Sequence, residues 1–198
     1  MLFDVARSEH VKFFGEDRLA TLPATAFPPS AASTDGARLL QTVGVPTGTL
    51  SLREPDEESG RLALVREVVN AEDFEDAGEW PVIGWLLNAH LALDPVSGKV
   101  HAFDPDEETA QELHTDVSSL VQVTFRFQRL LDEFTFSGDE EAEFERLDRE
   151  VALICQETSS IDPLPFQDDE TVWSVVGDEI AAGQRFKGNS PGARSLYQ

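Results

Sequence analysis

The pattern of apolar and polar positions along the chain changes from helical to strand-like and back to helical. The first residues predict a short helix that ends at Gly15. After a proline-rich stretch, Thr34 is placed as the N-cap of a second helix that runs through Val43. Gly44 supplies the left-handed residue that commonly ends a helix, and Pro46 prevents continuation.

Residues 49–103 show the alternation that is typical of strands. Leu50 and Leu52 alternate with polar neighbours and predict a first strand with one buried side. A second short strand is expected near 62–65, and a buried strand that includes Trp85 is expected over 80–87.

The clearest strand signal is a hairpin in which residues 89–94 and 99–104 flank a tight turn. Pro95 and Gly98 supply the fixed and the positive φ that such a turn uses. Asp94 opposite Lys99 sets the register, and the apolar side chains that then share one face are Leu91, Leu93, Val100 and Ala102.

Beyond the acidic stretch 104–108 the periodicity becomes helical. A long helix capped by Thr115 is followed by a second helix from about Gly138 and a third over 170–182. The acidic residues predicted on the exposed side of the second helix are Asp139, Glu140, Glu141, Glu143, Glu145, Asp148 and Glu150. These elements predict an α+β fold, with an N-terminal helix and C-terminal helices packed on a bent, mostly antiparallel sheet. We assign 1–183 to one domain and 184–198 to a flexible tail.

Composition changes the picture by excluding classes of partner. The 198 residues carry 38 acidic and 15 basic side chains, a formal charge of −23. Nucleic acids and anionic membranes repel such a chain, so a basic protein is the natural partner. A single cysteine, Cys155, excludes an internal disulfide framework and fits a reducing compartment. With no signal peptide and no long apolar run in view, we expect a cytoplasmic protein.

Motifs for catalysis or metal binding are weak. His90 and His101 share a face of the predicted hairpin, but a zinc site needs further ligands, and an exposed pair is the simpler interpretation. The stretch 104–108 lacks the glycine that a calcium loop requires, because Thr109 stands there. No nucleophile elbow is present, and 183–190 has Asn189 in place of the lysine of a phosphate-binding loop. We therefore expect no catalytic residue, no metal site and no cofactor.

The distribution of acids points to a binding surface. Acidic residues cluster in loops at strand ends, and such loops could converge on one rim that attracts a basic protein. The alternative is that the charge serves solubility alone. The residues predicted to bind the partner are Glu54, Asp56, Glu57, Glu58, Asp73, Glu75, Asp76, Asp106 and Glu107.

Several short motifs in the same order resemble SUKH-type immunity proteins of the fourth subgroup, which are common in actinobacteria. They are Phe14-Gly15-Glu16-Asp17-Arg18-Leu19 with Pro23, Leu39-Leu40-x-x-Val43-Gly44-Val45-Pro46, Ile83-Gly84, Leu93-Asp94-x-x-x-Gly98-Lys99-Val100-x-x-Phe103-Asp104, Ser118-Ser119-Leu120, and Trp173-Ser174-x-x-x-x-Glu179-Ile180-x-x-Gly183. The likeness covers about residues 14–183 and implies an α+β fold with a bent, mostly antiparallel sheet.

The resemblance also implies a function without catalysis. Such a protein binds and neutralises a cognate toxin domain, typically a nuclease or a nucleic-acid deaminase, inside the producing cell. Toxins of this kind tend to be basic, which agrees with the charge of −23. Two alternatives stay open: a regulatory or scaffold subunit on the same fold, and a small metal-dependent hydrolase that uses the acidic loops. The oligomeric state is not predicted.

Overall fold

The computed structural model describes residues 1–69, 77–106, 109–136 and 138–186, with the backbone alone for Glu140. In chain order the elements are α1 (Arg7–Phe14), β1 (Leu19–Ala20), α2 (Asp35–Thr42), β2 (Val45–Pro46), β3 (Ser51–Leu52), α3 (Val65–Val68), β4 (Val82–Leu86), β5 (Ala89–Leu93), β6 (Val100–Asp104), β7 (Thr109–His114), α4 (Val117–Glu133), α5 (Glu140–Ser159) and α6 (Val172–Ala181). Helices precede and follow a largely β middle, which confirms the α+β class.

The strands form an antiparallel meander. The main sheet has the order β3-β4-β5-β6-β7, and β1 pairs with β2 in a separate small sheet. The predicted hairpin register is confirmed, since Leu93 faces Val100 and Leu91 faces Ala102. Register shifts between Val82 and Gly84 in β4, and at the start of β6, are the kind of irregularity that bends a sheet.

One side of the sheet carries the main core. Leu91, Leu93, Val100 and Ala102 are buried there together with the apolar face of α4. The helices α2 and α5 flank α4, and α6 packs on α5. The opposite side carries a smaller cluster in which Phe103 and its neighbours on the sheet are covered by α3 and by Trp80.

The helix ends follow the expected capping chemistry in most cases. Thr34 accepts the Ala37 N–H at 3.2 Å, and Gly44 has a φ of 76° just after α2, as predicted. The cap of α4 is a correction, because Asp116 rather than Thr115 accepts the Ser119 N–H. The Thr115 N–H and hydroxyl instead donate to the carboxylate of buried Asp162, at 3.0 and 2.8 Å.

Three local predictions are wrong. The segment near 62–65 forms no regular strand: Leu64 makes one isolated bridge, and Val65 begins α3. The strand β7 was not predicted, because it lies at the sheet edge and its first four residues are not buried, so no alternation appears. The acidic face assigned to α5 includes one buried side chain, Glu143, which accepts the Gly138 N–H at 2.8 Å.

Two residues after 183 pack against the helices. Phe186 is buried against Phe134 and Phe136, and Arg185 pairs with Glu179 at 2.6 Å. Residues 187–198 of the predicted tail lie outside the described residues.

Candidate functional site

The acidic turn, which we define as residues 54–61, follows β3. Its backbone closes on itself, because the Asp56 N–H donates to the Arg61 carbonyl at 2.9 Å and the Gly60 N–H donates to the Asp56 carbonyl at 2.8 Å. The Asp56 carboxylate also accepts the Ser59 N–H and hydroxyl, both at 2.8 Å. These bonds, with the Ser59 N–H first, lower the pKa of Asp56. The turn therefore presents its charges in a fixed shape.

A clamp of opposite charges anchors this turn to α3. The Arg61 guanidinium donates to both oxygens of Glu67, at 2.9 and 2.7 Å, and Glu67 also accepts the Leu64 N–H at 2.9 Å. The bond from Arg61, followed by the one from Leu64, lowers the pKa of Glu67 to about 2. Arg61 is thus already paired, while Glu57 and Glu58 stand exposed at the tip.

An open groove lies beside the acidic turn, along the edge of the main sheet. This edge groove has a volume of about 800 Å³, and its lining consists of Ala20, Thr21, Leu22, Thr47, Gly48, residues 50–55 and Trp85. Trp85 lies opposite Ser51 of β3 and is 42% exposed. The expectation of a buried strand is wrong at this position, because Trp85 projects from the side of the sheet opposite the main core.

The structure brings together some of the predicted site residues and separates others. Glu54, Asp56, Glu57 and Glu58 lie on the acidic turn. Asp106 does not join them: neighbouring strands are all antiparallel, so β3 and β6 run in opposite directions and end at opposite ends of the sheet. The structure therefore separates Asp106 from the acidic turn, and its contact with a partner stays a prediction. The other predicted residues, Asp73, Glu75, Asp76 and Glu107, lie outside the described residues.

Most basic side chains in the described ranges are already neutralised within the chain. The ion pairs are Arg7–Glu16, Arg18–Asp132, Arg38–Asp35, Arg61–Glu67, Arg66–Glu79, Lys99–Glu112, Arg126–Glu157, Arg129–Glu133, Arg149–Glu145 and Arg185–Glu179. With 38 acids and 15 basic residues in the sequence, these pairs leave an excess of carboxylates at the surface. Such an excess attracts basic molecules over distances of about a Debye length, roughly 8–10 Å at moderate salt.

A comparison with protein-family models adds the decisive observation. The model of the SUKH-4 immunity proteins matches residues 5–179. The chain belongs to the SUKH-4 immunity protein family. Searches of curated proteins and of solved structures gave no match. Immunity proteins of this kind neutralise a cognate toxin by binding it, so the surface of this SUKH-4 protein has to be considered as an interface.

His90 and His101 of the SUKH-4 sheet are half-buried rather than exposed. His90 and His101 share a side of the sheet, as predicted, and the ring of His101 lies 4.7 Å from that of Trp80. Burial is the largest cause that lowers the pKa of each imidazole, so the neutral form is favoured. Within the part of the chain that the structure describes, no group of three or more His, Cys, Asp or Glu residues could hold a metal ion.

A buried polar network ties α6 to the sheet and to α4. The Trp173 indole N–H donates to Nε2 of His114 at 2.7 Å, and Nδ1 of His114 lies 2.9 Å from the Ser119 hydroxyl. Since Nε2 accepts, the proton of the neutral ring is on Nδ1. His114 and Trp173 have no exposed surface, so this arrangement serves stability and touches no substrate.

Burial raises the pKa of the Cys155 thiol to about 11, which leaves it a poor nucleophile at neutral pH.

Sequence reasoning missed the edge groove, although an aromatic residue in a strand next to an acidic loop was a signal. In the described ranges, no helix combines the length and apolar character needed to cross a membrane.

Proposed function

We propose that this protein neutralises a basic toxin domain that acts on nucleic acid, a nuclease or a deaminase, by binding it in the cytoplasm of the producing cell. The protein acts without catalysis of its own, and it takes neither nucleic acid nor membrane as a partner. The acidic turn provides the first contact, through Glu54, Asp56, Glu57 and Glu58. The predicted residues Asp73, Glu75, Asp76, Asp106 and Glu107 stay proposed contacts of the partner, with Asp106 at the end of the sheet opposite the acidic turn.

The observation that carries this proposal is the rigid acidic turn. Its hydrogen bonds join Asp56 to Ser59, Gly60 and Arg61 and restrict the backbone that carries the tip, so less backbone entropy is lost on binding. Glu57 and Glu58 are exposed, and the nearest basic residue of the turn, Arg61, is held by Glu67. Exposed carboxylates beside a cation that is already paired favour contact with the lysine and arginine side chains of another protein.

The chemistry of the proposed target explains why this sign of charge is useful. A protein that cleaves or deaminates nucleic acid must attract phosphate groups, so its cleft is lined by basic residues. An acidic surface can occupy that cleft in place of the phosphates. Electrostatic attraction between the two proteins also speeds their encounter, to about 10⁸–10⁹ M⁻¹s⁻¹ in favourable cases.

The test pairs the protein with the toxin domain encoded beside its gene. Co-expression should restore growth to cells that produce the toxin, and the two purified proteins should elute together at low salt and separate in part at high salt. Recovery of the toxin's nuclease or deaminase activity on dissociation would exclude a covalent inactivation. A neighbouring toxin that is acidic, or that does not bind at any salt concentration, would contradict the proposal.

A further inference from the structure

We propose that the toxin adds an extended segment bearing lysine or arginine to the outer edge of β3, which no strand of the described residues occupies, within the edge groove. This inference rests on the proposed function, because it names how the basic partner docks. Addition of a strand to an exposed sheet edge uses main-chain hydrogen bonds for affinity and adjacent side-chain pockets for specificity.

The backbone of β3 offers groups for such pairing. β3 is the first strand of the main sheet and pairs with β4 on one side. The Arg53 N–H donates to the Ile83 carbonyl at 3.0 Å, so the backbone of Arg53 faces β4. In an antiparallel pair, alternate residues direct their N–H and C=O groups to opposite sides. The N–H and C=O of Leu52 therefore point away from β4, into the edge groove.

The lining of the groove comes from the edge of β3 and from the segments 20–22 and 47–48 next to β1 and β2. Thr21, Thr47 and Gly48 in these segments are exposed. An extended segment in this space of about 800 Å³ would meet these residues as well as the backbone of β3.

Trp85 supplies a side-chain anchor in the same groove. Its indole is 42% exposed and lies opposite the small Ser51, so β3 separates its backbone from an added strand while its ring lines the same groove. A half-exposed tryptophan next to polar residues is typical of interface positions that contribute strongly to binding. Its ring face also attracts a lysine or arginine side chain by a cation–π interaction.

The charges in and beside the groove favour a basic occupant. The groove lining contains the cation Arg53 and the carboxylate Glu54, and the adjoining turn adds Asp56, Glu57 and Glu58. Carboxylates therefore outnumber the cation at the end of the groove where β3 leads into the turn. An incoming segment gains most when its basic residues lie at this end and when a smaller uncharged residue lies over Arg53.

The experiment uses a short peptide of alternating lysine and threonine as the probe. Binding to the full chain is measured by fluorescence polarisation of the labelled peptide, and the Leu52 amide is followed by NMR and hydrogen exchange. We expect binding, a shifted and protected Leu52 amide, and about tenfold weaker binding when alternate peptide nitrogens are methylated, since each lost hydrogen bond is worth about 0.5–1.5 kcal/mol.

A variant of the protein provides an independent test of the same groove. Trp85→Ala should weaken binding of the probe about tenfold, whereas Leu153→Ala removes a comparably exposed apolar side chain on α5 and should leave it unchanged. Thermal melting of both variants shows whether they fold, and the methylated peptide tests the edge without altering the protein.

Three results would overturn docking at the edge: no binding of the probe, equal affinity for the methylated and unmodified peptides, or an unchanged Leu52 amide. None of them decides whether the protein neutralises a toxin, which co-expression with the neighbouring toxin judges separately. Growth rescue together with any of the three would retain the proposed function and place the interface elsewhere. Failure of growth rescue together with intact peptide docking would reject the proposed function and the toxin as occupant, while the edge of β3 would remain a site for basic extended peptides.

Discussion

The indole N–H of Trp173 donates to Nε2 of His114 at 2.7 Å, and neither ring has any exposed surface. This bond joins α6 to the last residue of β7, elements separated along the chain by α4 and α5. It also fixes the tautomer of His114, whose Nδ1 is directed to the Ser119 hydroxyl at 2.9 Å. The C-terminal helices are thus attached to the sheet by a directional contact as well as by apolar packing.

Trp173→Phe should destabilise the fold by about 2–4 kcal/mol. The substitution leaves Nε2 of His114 buried without a donor and removes part of a fully buried ring that stacks on Phe127 at 5.5 Å. Urea unfolding of the variant measures the loss. Trp85→Phe is the matched control, because the Trp85 ring is half-exposed. This substitution should lower the free energy of unfolding by less than about 1 kcal/mol. Equal losses in the two variants would contradict the role of the buried bond.

The stability of the protein should fall as pH drops below 6.5, in part because of His114. Burial lowers the pKa of this imidazole from 6.5 to about 3, against the opposing attraction of Asp162. Between these values the unfolded chain binds a proton that the folded chain excludes, so acid favours unfolding. The His114→Gln variant keeps an acceptor for Trp173 but does not titrate. Urea midpoints measured from pH 7 to pH 4 should fall more steeply for the unmodified protein, and parallel pH profiles would show that His114 contributes nothing.

Gly44→Ala should destabilise the protein more than Gly98→Ala. Both glycines have a positive φ, 76° and 80°, so both alanines pay about 1 kcal/mol for the left-handed conformation. A Cβ on Gly44 would also lie 2.2 Å from the Ala20 carbonyl oxygen, whereas a Cβ on Gly98 meets nothing within 4 Å. We expect a further loss of about 1–3 kcal/mol at Gly44 in thermal or urea unfolding. Equal free energies of unfolding for the two variants would mean that the backbone at Ala20 shifts to accommodate the added methyl group.

The double variant Glu57→Lys/Glu58→Lys should bind a basic toxin domain about tenfold more slowly and keep its melting temperature. Both residues are exposed at the tip of the acidic turn, so the change alters attraction without altering packing. Stopped-flow association at low and high salt measures the effect. Asp148→Lys/Glu150→Lys on α5 makes the same change in net charge at another exposed site. Equal slowing by both variants would assign the attraction to the whole charge rather than to the turn.

The elements that the sequence predicted well are those with a strong local pattern. The hairpin register was predicted from the alternation of apolar and polar residues on a sheet with one side in the main core. The bounds of α2 were predicted from Thr34 at its start and Gly44 at its end. A short apolar run such as 62–65 carries no period and was assigned wrongly. The edge strand β7 escaped because most of its residues are not buried.

The candidate site depended on information that no local pattern contains. Sequence reasoning identified the acids of the turn at 54–58, and the structure shows how Ser59 and Arg61 fix them. It placed Asp106 on the same rim because the direction of each strand in the sheet was unknown. The groove beside Trp85 forms only when β1, β2, β3 and β4 come together, and its lining residues Ala20 and Trp85 are more than 60 positions apart along the chain.

The closed backbone of the acidic turn has a consequence for how the protein can change over generations. Its hydrogen bonds join Asp56, Ser59, Gly60 and Arg61, and they use neither side chain at the tip. Substitutions at 57 and 58 therefore leave these hydrogen bonds in place. Under the proposed function, a lineage that meets a new toxin has in this turn a place where recognition can change without loss of stability.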